Sequence, residues 1–167
     1  TVAGDLLISG ALAIGGLDQN CPSILTVGGN LILSNALNNY NAPSVLAIYA
    51  GPTNDMIGYA QGGGQITVSG TTILATNTSA IYPYGHPRTG ATIIFNLRDL
   101  VLAATNAIID ASGRGYSIVG TNYYGPGTPT STGLGGSYGG LGGDIRYTRP
   151  VYGFPYAPFW CGSPGRI

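Results

Sequence analysis

The 167-residue chain has no lysine and no glutamate; its six cations are all arginine and its six anions all aspartate. Charged residues make up 7% of it, against roughly a quarter in typical globular proteins. Losing lysine and glutamate removes two good helix formers and leaves the surface to Ser, Thr, Asn and Gly. A formal net charge of zero favours association over colloidal repulsion. Six scattered arginines balanced by six aspartates make no basic stripe, which argues against nucleic acid as a partner. No apolar run reaches the length of about twenty residues that a membrane-spanning helix needs. The first sixteen residues alternate and lack the basic head of a signal peptide. They open in mid-pattern, as a mature product or an excised segment would.

What the chain does have is a repeated phrase. Val27-Gly28-Gly29-Asn30-Leu31-Ile32-Leu33-Ser34-Asn35-Ala36-Leu37 has an imperfect double in Val2-Ala3-Gly4-Asp5-Leu6-Leu7-Ile8-Ser9-Gly10-Ala11-Leu12, with Asp5 and Asn30 in the same slot. The offset, from position 2 to position 27, is 25 residues. A third copy, Val68-Ser69-Gly70-Thr71-Thr72-Ile73-Leu74-Ala75-Thr76, follows 41 residues after the second, and Asp99 to Asn106 echoes Thr71 to Asn77 more loosely. Self-similarity at twenty to fifty residues is the signature of a repeat architecture. Within the copies apolar residues alternate at period two around a Gly-Gly-Asn turn, so they read as short strands. The turn glycines are expected to supply positive φ, and Asp5 and Asn30 to cap turns between strands.

The longer interval is explained by a strand at Val45–Tyr49 and a surface loop, inserted at about 38–64. A second excursion is expected at about 82–90, where Pro83 and Pro87 deny donors to a central ladder. Asn96–Ala104 admits a short helix, but the flanking β-branched residues and the echo of the third copy favour strands. From Ser112 onward the composition changes: residues 112–165 carry 15 of the 29 glycines and 7 of the 12 tyrosines. Tyrosines and Trp160 bury large areas, so this part is expected to form an ordered loop layer, 112–167, packed on strand layers formed by 1–111.

The chemistry is sparse. His86 is the single histidine; as a turn residue flanked by prolines it has no second histidine or nearby cysteine to make a zinc site. No Gly-x-Ser-x-Gly turn presents a nucleophile. Asp5, Asp18, Asp55, Asp99, Asp110 and Asp144 form no Asp-Asp or Asn-x-Asp cluster of the kind glycan cleavage calls for, and Asp144 with Arg146 and Arg149 reads as a surface ion pair. No catalytic residue, metal or cofactor is assigned. Cys21 and Cys161 could pair as a disulfide or stand as two free thiols. Asn77-Thr78-Ser79 fits the N-glycosylation pattern, a frequent chance match in such a composition. Tyr138, Tyr147, Tyr152, Tyr156 and Trp160 are candidates for an aromatic surface facing sugar rings or another subunit, with internal packing as the competing role.

Ile108-Ile109-Asp110-Ala111-Ser112-Gly113-Arg114-Gly115-Tyr116 resembles the "I-x-A-x-G-x-G-Y" strand ending of glycine-rich parallel β-helix proteins. Gly135-Gly136-Ser137-Tyr138-Gly139-Gly140-Leu141-Gly142-Gly143 is similar to their "G-G-S-H-G-G-x-G-G" loop. Tyr152-Gly153-Phe154-Pro155 through Gly165 is similar to their "Y-G-x-P-x-x-P-x-x-x-G-S-G-G" segment. The likeness covers residues 108–165 and departs at Tyr138, where histidine is usual, and at Pro164, where glycine is usual. It implies a pectin-lyase-like right-handed β-helix in a secreted or cell-surface protein, with further turns of the helix beyond Arg166-Ile167.

The expected fold is therefore all-β, a right-handed parallel β-helix segment carrying a Gly/Tyr-rich loop layer; a β-sandwich filament subunit donating Val2–Ile14 is the alternative. The expected function is an extracellular or cell-surface structural or adhesive protein whose partners are copies of itself or adjacent layers of a longer chain. A carbohydrate-binding or polysaccharide-cleaving module that meets surface glycans is the competing reading.

Overall fold

Alternation at period two places every second side chain on one face of a strand, and only a second apolar face can cover it. The computed structural model describes residues 1–15, 23–35, 42–51, 63–119, 122–125 and 127. Among them the regular elements are eleven strands and no helix: β1 Leu6–Ile8, β2 Ala11–Ile14, β3 Ser23–Val27, β4 Leu31–Leu33, β5 Ser44–Tyr49, β6 Gly64–Leu74, β7 Ser79–Tyr84, β8 Ile93–Leu102, β9 Ile108–Ile109, β10 Ile118–Val119 and β11 Asn122–Tyr123. The protein is all-β. The stretch around Asn96–Ala104 is β8, and its β-branched and aromatic start, Ile93-Ile94-Phe95, accounts for the extended form.

Two parallel sheets carry the fold. In the first, β6 lies between β8 on one edge and the in-line pair β3 and β4 on the other, with β1 beyond β4. In the second the order is β2-β5-β7-β9, so the strand expected at 45–49 joins two neighbours. A small antiparallel pair, β10 and β11, stands apart. Successive passes of the chain therefore add one strand segment to each sheet. The residues that recur in the sequence are register partners: Val2 bridges Val27, Leu6 pairs with Leu31, Val27 with Val68, and Thr71 with Asp99.

β7 runs on to Tyr84, further than the prolines suggested. Pro83 is opposite Ile48 of β5, while β9 reaches only Ala80 and Ile81. Its missing N–H thus costs no bond to β9.

The core fills the space between the two sheets. Leu25, Val27, Leu31, Leu33, Ile66, Val68 and Leu74 come from the first, and Leu46, Ile48 and Ile81 from the second; all belong to one buried cluster. Register stacks these into columns, such as Ile8–Leu33–Leu74–Leu102 and Leu12–Leu46–Ile81–Ile109. Each fully buried Leu, Ile or Val contributes about 1.5–3 kcal/mol.

The Gly-Gly-Asn corner works differently from the expectation. Gly28 and Gly29 do not have positive φ, which the described glycines show at Gly15, Gly90, Gly113 and Gly125. They are glycine because the preceding pass is so close: a Cβ on Gly28 would run into the Ala3 carbonyl, and one on Gly29 into Asp5 and Gly4. At Gly70 the obstacle is the Gly29 carbonyl oxygen, 2.6 Å away. Close approach lets side chains bridge the passes. The Asn30 N–H donates to Asp5 Oδ1 at 2.6 Å, and the Thr71 N–H donates to Asn30 Oδ1 at 2.8 Å. Asp5 and Asn30 thus accept from the backbone of the next pass, 25 and 41 residues on, where caps between strands were expected.

Leu74 and Leu102 share a column but differ in cover: Leu74 is 0% exposed and Leu102 50%. Urea unfolding of the dilute protein should show Leu74→Ala losing about 2–5 kcal/mol and Leu102→Ala about 1 kcal/mol or less, in proportion to its half burial. Equal losses would mean that Leu102 is covered in the isolated chain.

Candidate functional site

The last pass of the first sheet, β8, contains the most unusual surface. Its sequence IIFNLRDLVL keeps the apolar alternation of the buried strands. Register places Phe95 over Ile66, Leu97 over Val68, Leu100 over Thr72 and Leu102 over Leu74. All four lower residues are buried, whereas Leu100 is 45% and Leu102 50% exposed, and Ile93, Phe95 and Leu97 are half-buried. These side chains occupy core slots with no strand layer above them among the described residues. Ile108, beside them in the second sheet, is 46% exposed.

The backbone is open there as well. Among the described residues β8 pairs only with β6, so none of these residues covers its outer edge. An unpaired edge next to exposed apolar residues is a ready template for another strand. The chain does not fold back over it at once. After β9 it turns along the level of the third pass: the Gly85 N–H donates to the Arg114 carbonyl, the Ser117 N–H to the Pro87 carbonyl, and the Tyr116 hydroxyl to the Thr89 carbonyl.

The corner columns reach this end too. Asp99 follows Asp5, Asn30 and Thr71 in register; its carboxylate takes the Arg98 Nε–H at 2.9 Å, and both side chains are more than half exposed. A second corner repeats the device, where the Asn106 N–H donates to Asn77 Oδ1 at 3.3 Å. Asn77, the sequon asparagine, is exposed in the turn between β6 and β7.

The other polar features are structural braces. Tyr49 and Tyr84, register partners on β5 and β7, stack with ring centroids 4.5 Å apart and planes 15° from parallel. The Arg114 guanidinium lies 4.3 Å from the Tyr82 ring centroid and 4.9 Å from that of Tyr84. Its Nη1 donates to Asp110 Oδ2 at 2.9 Å and to the Ser112 carbonyl at 3.0 Å. Hydrogen bonds from Ser112, followed by the charge of Arg114, hold the Asp110 carboxyl below its ordinary range. The stacked pair and the cation over it are worth about 0.5–1.5 kcal/mol each, and the guanidinium roofs the ring faces a sugar would use.

His86 is buried in the 86–91 turn, where its Nδ1 accepts from the Thr89 N–H at 3.1 Å and the Arg88 N–H at 3.4 Å. Burial first, and then the nearby Arg88 charge, push its pKa below 6.5. No group of three or more His, Cys, Asp or Glu among the described residues is placed to hold a metal ion. Cys21, Cys161, Tyr138, Tyr147, Tyr152, Tyr156 and Trp160 lie outside the described residues.

Sequence reading pointed to tyrosines and passed over Leu100, Leu102 and Asp99. The sequence signal for these three residues is the loose fourth copy, Asp99 to Asn106. The Tyr49–Tyr84 pair was also findable, since 35 residues likewise separate Ser44 from Ser79, its neighbour in register.

A histidine whose folded pKa is depressed binds its proton more weakly than in the unfolded chain, so its contribution is complete above pH 6.5 and fades as pH falls below it. The urea midpoint should drop between pH 7 and pH 5.5, and His86→Gln should flatten that slope. An unchanged slope in the variant would remove His86 from the account.

No family model matches this chain, and no curated protein or solved structure matches it either, so its function is read from the geometry of the open end.

Proposed function

We propose that the protein is an extracellular or cell-surface structural component that assembles by stacking strand layers end to end, and that its two parallel sheets are faces of a right-handed parallel β-helix. The observation that carries this reading is the exposure of Leu100 and Leu102 in slots whose register partners, Thr72 and Leu74, are fully buried. In a stacked-layer architecture each layer buries its apolar face only against its neighbours. An end layer with core residues in it is an unfinished interface, and it selects a partner with strands. The near absence of charge supports the same reading, since little repulsion opposes close approach. So does the resemblance of residues 108–165 to glycine-rich β-helix proteins of secreted and surface origin.

Analytical ultracentrifugation over a hundredfold concentration range, followed by negative-stain microscopy, tests this. Wild type should form particles that lengthen with concentration. Leu102→Asp should stay monomeric with an unchanged circular dichroism spectrum, because the side chain is half exposed in the single chain. Monodisperse wild-type monomers at the highest concentration would overturn the proposal.

A further inference from the structure

The 85–91 turn between β7 and β8 is shaped from the inside by a side chain. Its backbone closes through the His86 N–H on the Ala91 carbonyl, at 2.8 Å, and the Gly90 N–H on the His86 carbonyl, at 2.9 Å. The Thr89 and Arg88 N–H groups point instead at His86 Nδ1. A backbone N–H can only donate, so Nδ1 carries the lone pair and the proton of the neutral ring sits on Nε2. The imidazole does for this turn what an Asx side chain does for others, accepting from donors two and three residues on. It differs from an Asx oxygen in one respect: it can take a proton close to neutral pH.

The same turn seats the arm that follows β9. The Gly85 N–H donates to the Arg114 carbonyl at 2.6 Å, and the Ser117 N–H donates to the Pro87 carbonyl at 3.1 Å, so bonds run both ways. The Tyr116 hydroxyl donates to the Thr89 carbonyl at 3.0 Å. Its ring lies where a Cβ on Gly90 would stand, and Gly90 has a φ of +71°, which glycine adopts without steric cost. Arg88 lies 5.8 Å from the ring centroid of Tyr124, just past β11. The arm thus rests on Gly85, Pro87, Arg88, Thr89 and Gly90, whose placement depends on how the turn closes around His86.

We infer that the 85–91 turn is an acid-sensitive latch: a proton on His86 Nδ1 removes the acceptor that shapes the turn, and the arm from Arg114 to Tyr124 comes away while both sheets stay folded. An imidazolium has an N–H on each nitrogen, so Nδ1–H would meet the Thr89 and Arg88 N–H groups donor against donor. The charges around it do not offset this. On its own turn the charged neighbour is Arg88, which opposes a second positive charge, and burial works in the same direction. From β7 come Tyr82 and Tyr84, and from the arm Arg114, Tyr116 and Tyr124. Asp110, the carboxylate nearest the arm in sequence, is engaged with Arg114, which lies over Tyr82 and Tyr84. The closed turn therefore binds the proton more weakly than the open one, so the latch is fully shut above pH 6.5 and loosens as pH falls below it. The buried cluster between the sheets contains no titratable side chain, so it does not share this response.

Hydrogen–deuterium exchange of the dilute full chain between pH 7.5 and pH 4.5, expressed as protection relative to the intrinsic rate at each pH, tests the latch. The amides of Gly85, His86, Thr89, Gly90 and Ser117 should lose protection together below pH 6.5, by up to about tenfold per pH unit until the folded ring itself titrates. Those of β4 and β6 should keep theirs. In His86→Asn the side-chain oxygen takes the place of Nδ1 without titrating, so the same amides should stay protected over the whole range. Equal loss in wild type and variant would overturn the inference, as would no loss in wild type. Loss spread alike over the turn and the core strands would also overturn it, by showing general unfolding in place of a latch. If the variant fails to fold, the wild type decides alone. Its single histidine gives one imidazole resonance, which should titrate over the pH range in which the amides open; titration without opening would sink the latch.

Discussion

A parallel strand satisfies its backbone only through the strands beside it, and the whole molecule depends on that constraint. In this chain the neighbours are earlier and later passes of the same sequence, so each pass completes the one before and needs the one after. The corner bonds, from the Asn30 N–H to Asp5 and from the Thr71 N–H to Asn30, keep the passes in register while the strands turn. They need a backbone close enough to reach, and Gly28, Gly29 and Gly70 provide that closeness by having no Cβ. Burial then follows: once register is set, Leu31, Leu33, Leu46, Ile48, Ile66 and Leu74 stack into a core that excludes water.

The same constraint makes the ends of the stack chemically distinctive. At the core-facing slots β8 alternates as β6 does, and both carry apolar residues there. What separates them is position. A residue that is worth its full transfer energy in the middle of the stack is half wasted at the end, and its burial becomes available to a partner. Function of the assembling kind needs no catalytic group under these conditions. It needs an incomplete layer, a complementary edge and a surface with little charge.

Much of the first sheet was legible in the sequence. Val2, Val27 and Val68, and then Leu6 and Leu31, recur as copies in the sequence, and the strands pair in those registers. The second sheet was harder to read. Ala11-Leu12-Ala13-Ile14, Ser44–Tyr49 and Ser79–Tyr84 share an alternation of size but no common phrase, because their outward slots hold Ala, Val or Tyr without consequence for the core. The turn glycines were recognised for the wrong reason, since φ and close approach leave the same mark on a sequence and only the neighbouring pass distinguishes them. Leu100 and Leu102 were legible as apolar but not as exposed: exposure depends on what lies above a strand, which alternation within the strand does not encode. Arg114 reaches Tyr82 and Tyr84 across some thirty residues of chain, a distance over which local reading has no purchase.

The central claim is that β8 holds core-slot side chains that a further strand layer would cover. Hydrogen–deuterium exchange of the full chain, measured at low and high concentration, addresses it most directly. The account predicts slow exchange at all concentrations for β4, β5 and β6, and protection of residues 93–102 that rises with concentration. Protection of β8 that is already complete at the lowest concentration, or gains spread evenly over the chain, would contradict it.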